Sequence, residues 1–143
     1  MKEITKVVVD AMGGDNAPHE IIKGAVEAVG KSDAIHVILV GKEDVINQEL
    51  SGYTYNKEQI SVVHTSEVIE TAEPPVMAIR RKKDSSIVVG LKMVKDKEAD
   101  AFVSAGSSGA VLAGGQLLVG RIKGVERPPL APLIPTDNER GCS

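Results

Sequence analysis

The chain has 143 residues, 42% apolar, 26% charged and 2% aromatic, with 17 Lys and Arg against 20 Asp and Glu for a net charge of −3. That length supports one domain with a core of its own, while the near balance of charge gives no global pull toward nucleic acid or an anionic membrane. Two Tyr, one Phe and no Trp leave an aliphatic core and no platform for stacking bases.

From the amino terminus, "MKEITK" lacks a signal-peptide core, and no apolar run approaches the roughly 18 residues that a membrane span needs. The lone Cys142 has no partner for an internal disulfide, so a reducing, cytoplasmic setting is expected. Ile4 to Asp10 is a continuously apolar run that predicts a strand covered on both faces. It stops at an acid and is followed by "AMGGDNAP". Pro18 to Val29 then carries Ile21, Ile22, Ala25 and Val29 at helical spacing.

The loop between them is the first candidate site. Gly13 and Gly14 let the backbone approach a ligand, Pro18 suits a first helical turn, and the free N–H groups there form an anion site. Asp10 and Asp15 would then orient a hydroxyl, a water or a cationic partner, with Asn16 among the phosphate-binding candidates. A plainer account serves the same residues: Asp15 or Asn16 caps the helix and the glycines make the turn. The adjacent glycines do not have the G-x-G-x-x-G spacing of a dinucleotide fold.

Ile35 to Gly41 predicts a second strand, Glu43 to Leu50 a short helix, and Ile60 to His64 a third strand. Of the three histidines, His19 and His36 are too dispersed from His64 for a metal motif, and His36 falls within a strand. His64, at a strand end, is the best placed of the three to act as a general base, although a structural role is the favoured account. Pro74 to Lys83 and Ser85 to Lys97 predict two helices parted by "KDSS", with Asp84 or Ser85 as cap. The preceding "RRKK" puts four cations at a helix C-terminus, where they complement the dipole. Lys82 and Lys83 would alternatively clamp a phosphate or an acidic partner.

Ala101 to Ser104 predicts the fourth strand, and Ser107 to Val119 a small-residue helix whose glycines need tight packing to offset their low propensity. Here Ser104, Gly106, Ser107, Ser108 and Gly109 form a second candidate anion site, read from a helix dipole, free amides and hydroxyls. A cap with glycines that permit close packing is the competing account. The Lys of a Walker loop is absent. Arg121, Lys123 and Arg127 make a second basic cluster, and Leu130 to Ile134 one more plausible strand before the polar stretch 137–143. With no G-x-S-x-G elbow, no protein nucleophile is expected. Alternating strands and helices predict an α/β domain over 1–136 with a mainly parallel sheet and right-handed crossovers, left with an open edge as if cut short.

The stretches "VDAMGGDNAP", "RRKKDSS", "SAGSSGA" and "GRIKGVERPPLAPLIPT" resemble the bacterial phosphate acyltransferases of phospholipid synthesis, over residues 7–136. The resemblance implies a three-layer α/β/α sandwich like that of isocitrate and isopropylmalate dehydrogenases, commonly a homodimer. No cofactor and no metal-binding residues are expected from it. Inorganic phosphate would attack the thioester of an acyl-acyl-carrier protein, and the acyl phosphate would pass to a membrane glycerol-3-phosphate acyltransferase. Activity at the edge of the inner membrane follows from that last partner. The chain departs from the family at Ser107-Ser108, where an Asn-Thr pair is usual, and in length, since members are much longer. An acyl-coenzyme A donor, or a non-catalytic module that binds the carrier protein, are the alternatives.

Overall fold

The computed structural model describes residues 4–131, and the expected tail 137–143, Cys142 and most of the strand expected at Leu130 to Ile134 lie outside that range. Four strands, β1 (Thr5–Asp10), β2 (Ile35–Gly41), β3 (Ile60–His64) and β4 (Ala101–Val103), form one sheet in the order β3-β2-β1-β4. Every pairing is parallel: Val8 faces Ile38 in β2 and Phe102 in β4, and Leu39 faces Val62 in β3. The sheet therefore presents the carboxyl ends of all four strands on one rim.

Helices α1 (His19–Lys31) and α2 (Glu43–Leu50) cover one face. Ile22, Ala25 and Val29 of α1 and Ile46 and Leu50 of α2 pack there against Val37 and Leu39. Helix α4 (Ser86–Lys95) covers the other, where Val89, Met93 and Val94 meet Val8, Ile38 and Val40. Alternate strand residues thus enter opposite cores, which is why the strands read as unbroken apolar runs. Burial of a side chain such as Leu39 or Ile22, both 0% exposed, contributes about 1.5–3 kcal/mol. Helices α3 (Pro75–Arg81) and α5 (Ser108–Gly114) lie outside α4 in a further cluster of Ile79, Ala78, Ile87, Leu91 and Ala110. The result is the α/β/α layering expected from the sequence.

Two boundaries differ from expectation, and one cap that the sequence left open between two residues is resolved. Pro18 precedes α1 rather than opening it, and no side chain caps that helix, so neither Asp15 nor Asn16 plays the capping part. Ser85, not Asp84, caps α4 by accepting from the Val88 amide. The helix expected over Ser107 to Val119 is α-helical only to Gly114 and continues as a π-helical turn, Gly115–Val119, stopped at Gly120 with φ 102°. The Gly114-Gly115 pair weakens the α pattern, and the looser turn lets Leu118 reach the helical cluster. On the α1 side, Val103 at edge strand β4 is 53% exposed and borders an apolar groove of about 350 Å³ shared with Val7, Val9 and Ile21.

Candidate active site

Strands β1 and β4 are neighbours with Val9 opposite Val103, so the residues that follow, Asp10 and Ser104, leave the sheet side by side. Asp10 is 1% exposed. Its Oδ1 accepts the Met12 amide at 3.1 Å and its Oδ2 accepts the Ser104 hydroxyl at 2.8 Å. Ser104 Oγ in turn accepts the Gly106 amide at 3.0 Å. One carboxylate and one hydroxyl thus tie the β1 turn to the β4 turn. Two bonds to the carboxylate satisfy a charge that would otherwise be costly to bury.

The turns are packed backbone to backbone. A Cβ on Gly13 would strike Asp10 Oδ2 and stand 2.9 Å from the Gly106 nitrogen, so no larger residue fits. Gly14 sits at φ 113°, where L side chains are strained, and lies against Ala105. The two glycines of the sequence motif "MGGD" are accounted for by this contact. Beyond it, Ser107, 4% exposed, caps α5 by accepting the Ala110 amide at 3.2 Å. A Cβ on Gly109 would stand 2.9 Å from Pro75 Cγ, which brings the start of α3 against the start of α5.

The disposition of amides shows what the site can hold. Those of Ala11, Met12, Ala17, Gly106 and Ala110 have internal acceptors. Among the described residues, the amides of Gly13, Gly14, Ser107, Ser108 and Gly109 have none. Unspent N–H groups on two adjoining turns favour an anion. No Lys or Arg side chain donates to either turn among the described residues, so backbone dipoles supply the attraction. Asp15 and Asn16 are exposed at the mouth of the β1 turn.

Other expected site residues lie elsewhere. His64 ends β3, two strands from β1, a separation of about 10 Å at ordinary strand spacing, and its Nδ1 accepts the Glu43 amide at 3.3 Å. Beside it, Asp84 accepts both the hydroxyl and the amide of Ser66, and these bonds hold its carboxyl below the usual range. The Lys82 ammonium donates to Glu73 and to the Val68 carbonyl, and that hydrogen bond is the main cause of a lowered Glu73 pKa. Lys82 is therefore committed to stitching the segment before α3, and the exposed Lys83 lies beyond the far end of α3. His36 bonds the Glu58 carbonyl and the Ser61 hydroxyl, a structural role. No group of three His, Cys, Asp or Glu able to hold a metal occurs among the described residues. Nor is any helix there long and apolar enough to cross a membrane.

Reading the sequence did not pair Asp10 with Ser104 or bring Pro75 to the site. The first depends on β1 and β4 being neighbours, although each residue is the polar one that ends an apolar strand. The second depends on how α3 and α5 pack and has no local signal.

Comparison with known proteins adds to this geometry. A family model described as fatty acid synthesis protein matches residues 5–142. A relative named phosphate acyltransferase from Alkaliphilus oremlandii is 60% identical over 131 residues, 92% of this chain and 39% of the relative. Others so named, from Clostridium novyi and Thermoanaerobacter pseudethanolicus, are 57% and 51% identical over 133 residues, in each case 93% of this chain. The chain spans about 40% of the length of these relatives.

Proposed function

The chain belongs to the fatty acid synthesis protein family, and from that premise we propose that it is the amino-terminal part of an enzyme transferring an acyl group to inorganic phosphate. The donor in this reading is an acyl-acyl-carrier-protein thioester and the product an acyl phosphate, made by a homodimer and handed to a glycerol-3-phosphate acyltransferase. The observation that carries it is the adjoining pair of turns, Gly13–Gly14 and Ser107–Gly109, with unspent amides facing no internal acceptor.

Phosphate is itself the nucleophile. One of its oxygens bonds to the thioester carbonyl carbon, the carbon–sulfur bond breaks, and the electron pair leaves on the carrier's thiolate, which takes up a proton. The protein has to hold one anion and stabilise a second, the carbonyl oxygen of the tetrahedral intermediate. The amides of Ser107, Ser108 and Gly109 suit the first task and those of Gly13 and Gly14 the second, and the Ser108 hydroxyl adds a donor. Asp10 is a positioning residue in this scheme. Through the Met12 amide and the Ser104 hydroxyl it holds the two turns in place. Asp15 and Asn16, exposed at the mouth, meet the incoming phosphate's remaining proton or its counter-cation in this reading.

The test is direct. The chain is fused to the remaining part of the Alkaliphilus oremlandii relative and supplied with acyl-carrier protein. Phosphate-dependent loss of thioester with matching formation of acyl phosphate is the expected result. Thioester loss independent of phosphate, or no turnover, rejects the reading.

A further inference from the structure

Away from the rim, the outer helical layer carries a groove of about 470 Å³ between α3, α4 and the π-helical turn. Its floor is apolar, with Ile79 and Val88 at 4% and 1% exposure and Leu118 half-buried, while Leu117, 48% exposed, forms a lip. Its rim holds Arg80, Lys83 and Lys92 and no acidic residue. None of these three cations forms an ion pair or a side-chain hydrogen bond among the described residues, although the chain as a whole is acidic, with a net charge of −3. An apolar floor edged by unpaired cations fits one face of an amphipathic helix whose flanks are acidic.

The groove is also connected to the site. Helix α3 starts at Pro75, against Gly109, and ends at Arg81. Seven residues at 1.5 Å each set the groove about 10 Å from the paired turns. We propose that this groove docks an acidic amphipathic helix of the protein that delivers the acyl group, so that the thioester arm is presented to the Gly109 end of α3. That the helix belongs to a carrier protein rests on the reaction proposed above. Ordinary electrostatics would make such docking fast and salt-sensitive.

Binding is tested on the 143-residue chain with an acidic acyl-carrier protein, by titration calorimetry at low and at moderate salt. Saturable binding is expected, weakened by salt and weakened at least about tenfold in the double variant Arg80→Glu/Lys92→Glu, which changes exposed side chains outside the paired turns. The milder Arg80→Gln/Lys92→Gln is expected to lose part of that affinity, and circular dichroism shows whether each variant is folded. Equal binding by the folded variants, or no binding by the parent chain, overturns the proposal. So does salt-sensitive binding to vesicles of phosphatidylglycerol and phosphatidylcholine that the variant loses while its carrier-protein affinity stays unchanged. Failure of the reaction itself is read separately, from phosphate-dependent turnover of a short acyl-pantetheine thioester by the fusion, a substrate with no helix to dock.

Discussion

Two corners of the same sheet rim are built in opposite ways. At the β3 corner, side chains are tied to one another and to the backbone: Asp84 takes two bonds from Ser66, Glu67 accepts the Asp84 amide, Lys82 joins Glu73, and His64 accepts from Glu43. At the β1 and β4 corner, one buried carboxylate and one hydroxyl hold two turns in backbone contact, and the amides beyond them stay unspent. The first corner is stitching, in which the charged side chains have found partners within the chain, while the buried Thr65 hydroxyl has none among the described residues. The second has surplus donors, which water or a ligand can complete. The richer display of charged residues is the structural one, and the sparse, glycine-lined corner is the candidate for chemistry.

Substitutions separate the two corners. Gly13→Ala is expected to act most strongly, because its Cβ displaces Asp10 or the Gly106 backbone. Over-packing of this kind costs about 1–3 kcal/mol, and misplacing the turn should cut phosphate-dependent turnover of the fusion about a hundredfold. Thermal melting and acyl phosphate assay read both effects. Ser104→Ala comes next, since it strips Asp10 of one donor and leaves the Gly106 amide unpaired. A loss of about 1–3 kcal/mol in denaturant unfolding is expected, with a smaller fall in turnover than for Gly13→Ala.

The β3 corner should respond to acid instead. Hydrogen bonds from Ser66 lower the Asp84 pKa in the folded chain, and Lys82 does the same for Glu73. A lowered folded pKa gives stability that is complete above the unfolded carboxylate range and is lost as pH falls through the folded value. Melting temperature should therefore decline below about pH 4, and Asp84→Asn should flatten part of that decline without changing turnover near neutrality. His64→Gln is expected to do least, within about 0.5 kcal/mol in stability and with turnover nearly unchanged. A large loss of activity there would move the chemistry to the wrong corner.

Much of this architecture is legible along the chain. The four apolar runs became the four strands because both faces of a parallel sheet are buried, and Glu43–Leu50 formed a helix as its spacing predicts. Gly13, Gly14 and Gly106 stood out because strand ends rarely need so much backbone freedom. The strand order was not legible: nothing local in β1 or β4 says that they are neighbours, and that adjacency alone brings Asp10 to Ser104. Lys82 and His64 looked like site residues because their types are chemically capable. Their partners, Glu73 and the Glu43 amide, are set by loop geometry that no spacing encodes.

Amide chemical shifts of the nitrogen-15-labelled chain, followed as inorganic phosphate is added, put the contrast between the corners to its most direct trial. Saturable shifts at Gly13, Gly14, Ser107, Ser108 and Gly109, with Ser66, Glu67 and Asp84 stationary, are the expected result. Shifts confined to the Ser66–Asp84 corner, or none at the five glycine and serine amides at saturating phosphate, would contradict it.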